Sequence, residues 1–132
     1  MNIHLIEPLN VEQKVIDKYK RPLEEAGFTV RQWRDRKEDN SSLIERCKDA
    51  EVVIFSNIPF PAEVIDACPN LKMLSVAFTG VDHVDIQACR QRDIIVSNAA
   101  GYSTQSVAEL TIGLMISGLR SMMKNESKLR NL

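Results

Sequence analysis

Short apolar runs alternate with stretches of helical periodicity along the chain. Ile3–Ile6 is a continuous apolar run of strand length and predicts a first strand. Asn10 stands where a helix cap is expected, with Gln13 three residues on as its capping partner. Val11, Val15, Ile16, Tyr19, Leu23 and Ala26 then follow helical spacing, and Gly27 ends the run. Phe28–Val30 predicts a short second strand. The polar stretch Arg34–Asn40 leads into a helix capped at Ser42 and Glu45, whose apolar positions are Leu43, Ile44, Cys47 and Ala50. Glu51–Phe55 predicts a buried third strand, and Pro61 opens a helix through Cys68. Leu71–Ala77 predicts a fourth strand, followed by the turn Phe78–Asp82, a short helix near Asp85–Gln91 and a strand at Ile94–Val96. A loop from Asn98 to Ser103 then opens a long helix from Thr104 to about Met123.

Near-continuous apolar strands separated by helices are the pattern of a parallel sheet covered on both faces. The expectation is an α/β fold: a flavodoxin-like, doubly wound, parallel five-stranded sheet, followed by a long C-terminal helix. At 132 residues the chain has the length of one domain. Seventeen basic against eighteen acidic residues leave a net charge of −1, which gives no electrostatic footprint for nucleic acid or anionic lipid. Cys47, Cys68 and Cys89 form no CxxC pair, so neither a disulfide framework nor a metal site is expected. His4 and His83 lie far apart and read as structural. The amino terminus lacks a basic segment followed by an apolar one, and the run Val107–Leu119 contains Glu109 and is too short to span a bilayer. A cytoplasmic protein without a membrane partner is the expectation.

Ligands of open parallel sheets bind at the carboxyl ends of the strands. Four loops qualify: Glu7–Asn10, Ser56–Phe60, Phe78–Asp82 and Asn98–Thr104. A phosphoacceptor receiver needs an aspartate ending its third strand and a lysine in its last loop. Here the third strand runs into Phe55-Ser56-Asn57, and the last loop has no lysine. A flavin-phosphate loop needs hydroxyls and glycine after the first strand, where Glu7-Pro-Leu-Asn10 offers neither. Neither GxGxxG nor GxxxxGK[ST] occurs. Thr79-Gly80-Val81 instead suits a small anion, because free backbone N–H groups in a glycine-containing turn can face a carboxylate. Ser56 and Asn57 add neutral donors. A purely structural reading has Gly80 only making the turn, with Asp82 or Asp85 capping the next helix.

Three ordered segments, Thr79-Gly-Val-Asp-His-Val-Asp-Ile86, Ile95-Val-Ser-Asn-Ala-Ala-Gly-Tyr102 and Ser106-Val-Ala-Glu109, resemble the D-isomer-specific 2-hydroxyacid dehydrogenases. The resemblance is close over Leu71–Arg120 and departs at Ala100, where the family usually has proline. It implies a two-domain enzyme moving hydride between NAD or NADP and a 2-oxo acid. Residues 1–103 would then be the flavodoxin-like substrate domain, and 104–132 an interdomain crossing helix and tail. The Rossmann domain, with the family's catalytic arginine, glutamate and histidine, would lie downstream, so no catalytic residue is assigned here. This chain alone would be inactive and bind no cofactor. Carried over position by position, the resemblance implies substrate contacts at Ser56, Asn57, Gly80, Val81 and Tyr102. It implies cofactor contacts at Thr79, Ser103 and Thr104.

Ser106 and Glu109 also have capping-box spacing, which favours a structural role for Glu109 over a tether across the domain cleft. Val107, Leu110, Ile112, Leu114, Met115, Ile116, Leu119, Met122 and Met123 surround most of the last helix. A helix apolar on many sides expects cover on more than one of them. Without a second domain an apolar patch is expected to be exposed, making a homodimer through helix 104–123 the expected partner arrangement. Gly113 and Gly118 would permit close helix approach. The alternative to the dehydrogenase is a stand-alone, non-catalytic carboxylate-binding or protein-interaction module.

Overall fold

The computed structural model describes residues 1–121. They divide into two compact units, Met1–Ala100 and a second beginning at Gly101. The first contains β1 (Asn2–Leu5), α1 (Gln13–Glu25), β2 (Thr29–Gln32), α2 (Asn40–Cys47), β3 (Val52–Phe55), α3 (Ala62–Asp66), β4 (Met73–Val76), α4 (Ile86–Gln91) and β5 (Ile95–Asn98). All pairings are parallel, in the order β2-β1-β3-β4-β5. That is the flavodoxin-like order, with its switch between β1 and β3. The expected fold class is therefore the observed one.

Register separates the two sheet faces. Val53, Phe55, Leu74 and Val76 point to one side, where they join Leu43 and Cys47 of α2, Val64 and Ile65 of α3, and Ala88 and Cys89 of α4 in a continuous core. On the other side Leu5, Val30 and Ile54 face Val15, Ile16 and Leu23 of α1. No residue of α1 is fully buried, so the main core lies on the α2–α3–α4 side.

The strand limits move where backbone groups are claimed by helix ends. Gly27 has φ +84°, the Gly27 N–H donates to Glu24 O, and the Phe28 N–H donates to Leu23 O. This double closure is a Schellman motif, so Phe28 belongs to the end of α1 and β2 starts at Thr29. Ile94 likewise donates to Cys89 O and closes α4, moving β5 to Ile95–Asn98. Two expected caps are corrected. Asn10 sits at φ +55° in the turn before α1, and Glu12 takes the cap position without a side-chain bond. In α2 the cap is Asp39, whose carboxylate accepts the Ser42 N–H at 2.9 Å, because it precedes the serine by one helical turn. Asp85 caps α4 by accepting from Ala88 N, one of the two capping readings open in the sequence.

Arg46 is the one charged side chain buried within a helix of this core. Its guanidinium donates to Ile6 O and Asp35 O at 2.8 Å and to the Asp35 carboxylate at 2.7 Å, and lies over the Trp33 ring. These bonds tie α2 to the loop after β2. His4 is fully buried and has its Nδ1 2.6 Å from Arg46 O, which makes it structural.

The second unit contains α5 (Thr104–Leu119), which opens after Gly101 at φ +86°. No residue of α5 is buried, and Leu110, Ile112, Leu114, Met115, Ile116 and Leu119 are each more than half exposed. Its Glu109 accepts from Gln105 Nε2 at 2.9 Å and closes no capping box, since Ser103 rather than Ser106 holds the cap position. Met122 and Met123 lie outside the described residues.

Candidate functional site

The carboxyl edge of the sheet is built from the segments following β1, β3 and β4. Ile6 N donates to Ile54 O, and Ala77 N to Phe55 O at 2.7 Å, so the strands stay paired up to the point where the loops leave. The loop after β3 carries Ser56 and Asn57. The loop after β4 carries Thr79, Gly80 and Val81. The two loops are pinned together: Phe60 N donates to His83 O at 2.7 Å, Asp85 N donates to Phe60 O at 3.0 Å, and Phe60 forms an isolated parallel bridge with Val84. Phe60 itself is fully buried and stacked on Phe55 with 5.0 Å between ring centroids.

The turn at Gly80 is closed on its far side by Val84 N donating to Val81 O at 2.9 Å, and Thr79 O accepts from Asn98 Nδ2 at 2.6 Å. Those contacts use carbonyl oxygens. Among the described residues no backbone acceptor faces the N–H groups of Gly80 or Val81. Gly80 does not have a positive φ, and a Cβ placed on it would meet only Asp82 Oδ2 at 3.4 Å. The turn therefore does not demand glycine for its own backbone, which leaves open approach of a ligand as the reason for a missing side chain.

His83 is held inside this turn by aromatic neighbours. Its ring meets Phe55 and Phe78 edge-on, with centroids 5.8 and 6.4 Å apart, and its Nε2 is buried without a partner. It packs rather than presents a base, as its isolation in the sequence suggests. Asp82 is exposed and caps nothing.

A residue that sequence reading did not single out organises the β3 loop. Glu7, one residue beyond Ile6, is 1% exposed. Its Oε1 accepts the N–H groups of Ser56 at 2.6 Å and Asn57 at 3.1 Å, and its Oε2 accepts from Arg36 at 2.5 Å. The available signal was a carboxylate directly after a buried strand, since a charge in that position needs partners. Arg36 was hidden in a polar stretch with no periodicity.

Among the expected positions, Ser56, Asn57, Thr79, Gly80 and Val81 thus lie at the carboxyl edge of the first unit. Tyr102, Ser103 and Thr104 belong to the second. There Tyr102 is 67% exposed, Ser103 takes the cap position and Thr104 begins α5. Among the described residues no group of histidine, cysteine or acidic side chains could hold a metal ion. The three cysteines are buried and free, and Cys47, hydrogen-bonded to Cys68 and withdrawn from water, has its thiol pushed well up. None of the five glycines falls in a GxGxxG turn of the kind that cradles a pyrophosphate. No helix of the described residues is long and apolar enough to cross a membrane.

Residues 6–130 match the family model of the D-isomer specific 2-hydroxyacid dehydrogenase, catalytic domain. A D-3-phosphoglycerate dehydrogenase of Methanocaldococcus jannaschii is 39% identical over 89 residues, covering 67% of this chain and 17% of that protein. Among solved structures, the NAD+-bound 3-phosphoglycerate dehydrogenase of Entamoeba histolytica superposes with a TM-score of 0.75 at 36% identity, over 91% of this chain and 39% of that one. An acyclic imino acid reductase in complex with NADPH and D-Arg superposes with a TM-score of 0.86 at 26% identity, over 99% and 41%. The chain therefore spans about two fifths of the solved relatives it matches.

Proposed function

This chain belongs to the D-isomer-specific 2-hydroxyacid dehydrogenase family, and from that membership we propose that it is the substrate-domain part of an enzyme transferring hydride between NAD or NADP and a 2-oxo or D-2-hydroxy acid. The observation that supports the reading is the pair of N–H groups at Gly80 and Val81, without an acceptor among the described residues, at the carboxyl edge of the sheet and inside the segment that resembles the family. Two adjacent amides of this kind complement a carboxylate. In this reading Ser56 and Asn57 of the first unit and Tyr102 of the second are assigned to the substrate, and Thr79 of the first unit with Ser103 and Thr104 of the second to the cofactor.

Residues 1–103 act as the substrate-binding portion and 104–132 as the crossing helix and tail. The dinucleotide domain and the proton-transferring residues come from further chain. The cofactor, when bound, supplies the hydride. The residues of this chain bind and orient the acid and transfer no proton, so the chain alone is inactive. Two relatives solved with NAD+ and with NADPH support a nicotinamide cofactor without choosing between its forms. A cytoplasmic location accords with three free, buried cysteines. The exposed apolar side chains of α5 support pairing of these 132 residues with a second copy.

The test is to read the parent frame beyond Leu132 and assay its full product for NADH- or NADPH-dependent reduction of a panel of 2-oxo acids. A strand followed by GxGxxG, together with turnover, supports the proposal. A stop codon and carboxylate binding without turnover would assign a stand-alone binding module instead.

A further inference from the structure

We infer that Glu7 and Arg36 are positioning residues of the substrate pocket, which turn the amide nitrogen of Asn57 outward as the donor that the β3 loop offers to a substrate oxygen. The inference deepens the proposed function and rests on its placing of Asn57 in that pocket.

Glu7 is a buried carboxylate whose Oε1 is used on the β3 loop and whose Oε2 is used on Arg36. Both backbone N–H groups of Ser56 and Asn57 are consumed by Oε1, at 2.6 and 3.1 Å. The two successive amides form an anion-binding concavity of the kind that holds phosphates and carboxylates, and here the protein's own side chain fills it. The main-chain N–H groups of Ser56 and Asn57 are therefore not free for a substrate anion. The loop's remaining side-chain donors are the half-buried Ser56 hydroxyl and the exposed Asn57 amide, of which Asn57 is the one held by Arg36.

Arg36 decides how that side chain is turned. Its Nη1 bridges Glu7 Oε2 at 2.5 Å and Asn57 Oδ1 at 2.7 Å, while its Nε donates to Glu38 Oε1 at 2.7 Å. A guanidinium has five donors and no acceptor, so the amide atom facing it must be the oxygen. The alternative orientation would set N–H groups against N–H groups. The Asn57 Nδ2 group is thereby directed away from Arg36, and no hydrogen bond from it to another described residue competes for its two protons. The chain of dependence runs from the buried carboxylate to the guanidinium to the amide. The pocket so arranged offers neutral donors at Asn57 and main-chain donors at Gly80–Val81. That complements a 2-oxo acid carrying a further oxygen acceptor away from its carboxylate.

The experiment is a titration of the 15N-labelled chain with hydroxypyruvate, following the backbone amides of Gly80 and Val81 and the side-chain NH2 of Asn57 by NMR. All three groups are expected to shift together in the wild type. Arg36→Met removes the donors of a partly exposed residue and is expected to weaken the apparent Kd roughly fivefold, the scale of one neutral hydrogen bond. It should also abolish the NH2 response, and Arg36→Lys should restore part of both. Asn57→Asp keeps the shape but replaces the outward donor by an acceptor, and should weaken binding more than about tenfold. This second variant lies at an exposed position and covers the case in which Arg36→Met fails to fold. A silent Asn57 NH2 while Gly80 and Val81 shift, or wild-type affinity in Arg36→Met or Asn57→Asp, would overturn the positioning role alone. No response at any of the three groups would overturn the pocket reading and this role with it.

Discussion

Phe60 and His83 join the two loops of the candidate pocket through a 2.7 Å bond from the Phe60 N–H to the His83 carbonyl. The bond is made by main-chain atoms, but its geometry depends on side-chain packing. The Phe60 ring lies fully buried against Phe55, and Phe55 in turn supports the His83 ring edge-on. The bond between the Asn57 and Gly80 loops is thus backed by a cluster of packed aromatic rings.

Phe60→Ala removes one end of that cluster, the ring stacked on Phe55. Truncating a fully buried phenylalanine costs about 3–5 kcal/mol through lost transfer energy and the residual cavity. Urea denaturation should show a loss of that size, and hydroxypyruvate binding should weaken in the fraction that stays folded. Phe60→Leu, which fills more of the space, should lose distinctly less. Equal losses in the two variants would show that the cluster is not packed as described.

Gly80→Ala separates the two readings of the Thr79-Gly80-Val81 turn. Because Gly80 has an ordinary φ and its Cβ would make only van der Waals contact with Asp82, the fold should tolerate alanine. Reduced unfolded-state freedom could even add about 0.4–1 kcal/mol. If the position is glycine for ligand access, carboxylate binding should nevertheless fall. A stable variant with unchanged binding would return Gly80 to a purely structural role, and a strongly destabilised one would contradict the geometry of the turn.

Acid should lower the stability of the chain in part through a few identifiable carboxylates. Hydrogen bonds from the Ser41 hydroxyl and the Ser42 N–H hold Asp39 at a pKa of about 2, below its ordinary 3.8. The bond from Arg46 lowers Asp35, and that from Lys72 lowers Glu51. A carboxylate depressed on folding binds fewer protons in the native than in the unfolded state. Its stabilisation is complete above the unfolded value and is lost as pH falls through the folded one. The urea midpoint should therefore be flat with respect to these groups above about pH 5 and decline progressively below it. Asp39→Ser retains a capping oxygen but no titrating group, so its acid decline should be shallower than that of the wild type. Superimposable profiles would remove Asp39 from the account.

The contrast between what the chain discloses and what it conceals follows the range of the interactions. The five parallel strands are legible because β3 and β4 are apolar runs punctuated by proline and glycine. Gly27 and Asp85 are legible because a helix stop and a cap need only their immediate neighbours. Asn10 and Ser42 misled because several polar residues precede each helix. The cap falls to whichever one the loop's tertiary contacts leave in register: Asp39 before α2, and no side chain at all before α1. Gly80 and Val81 could be picked out as turn residues, yet that no acceptor among the described residues takes their N–H groups depends on how the turn is placed in three dimensions. Glu7 and Arg36 are 29 residues apart and meet a loop 49 residues from Glu7, a juxtaposition that only the crossover between β1 and β3 creates.

The exposed helix α5 gives the last expectation. Leu110, Leu114 and Met115 are each more than 60% exposed, on a helix with no buried residue. Such a face is costly in water, since burying one large aliphatic side chain is worth about 1.5–3 kcal/mol. Pairing with a second copy would cover it, and Gly113 and Gly118 leave room for the approach, for a Cβ at either would meet nothing within 4 Å. Light scattering on the 132-residue chain should therefore give twice the monomer mass at high concentration. Leu114→Glu combined with Ile116→Glu should shift the equilibrium to monomer, raising the dimer Kd by at least about tenfold. The same pair of substitutions should leave the urea midpoint of the dilute chain nearly unchanged, because neither side chain is buried in the chain itself. A wild-type chain that stays monomeric at high concentration would exclude the helix as a self-association surface.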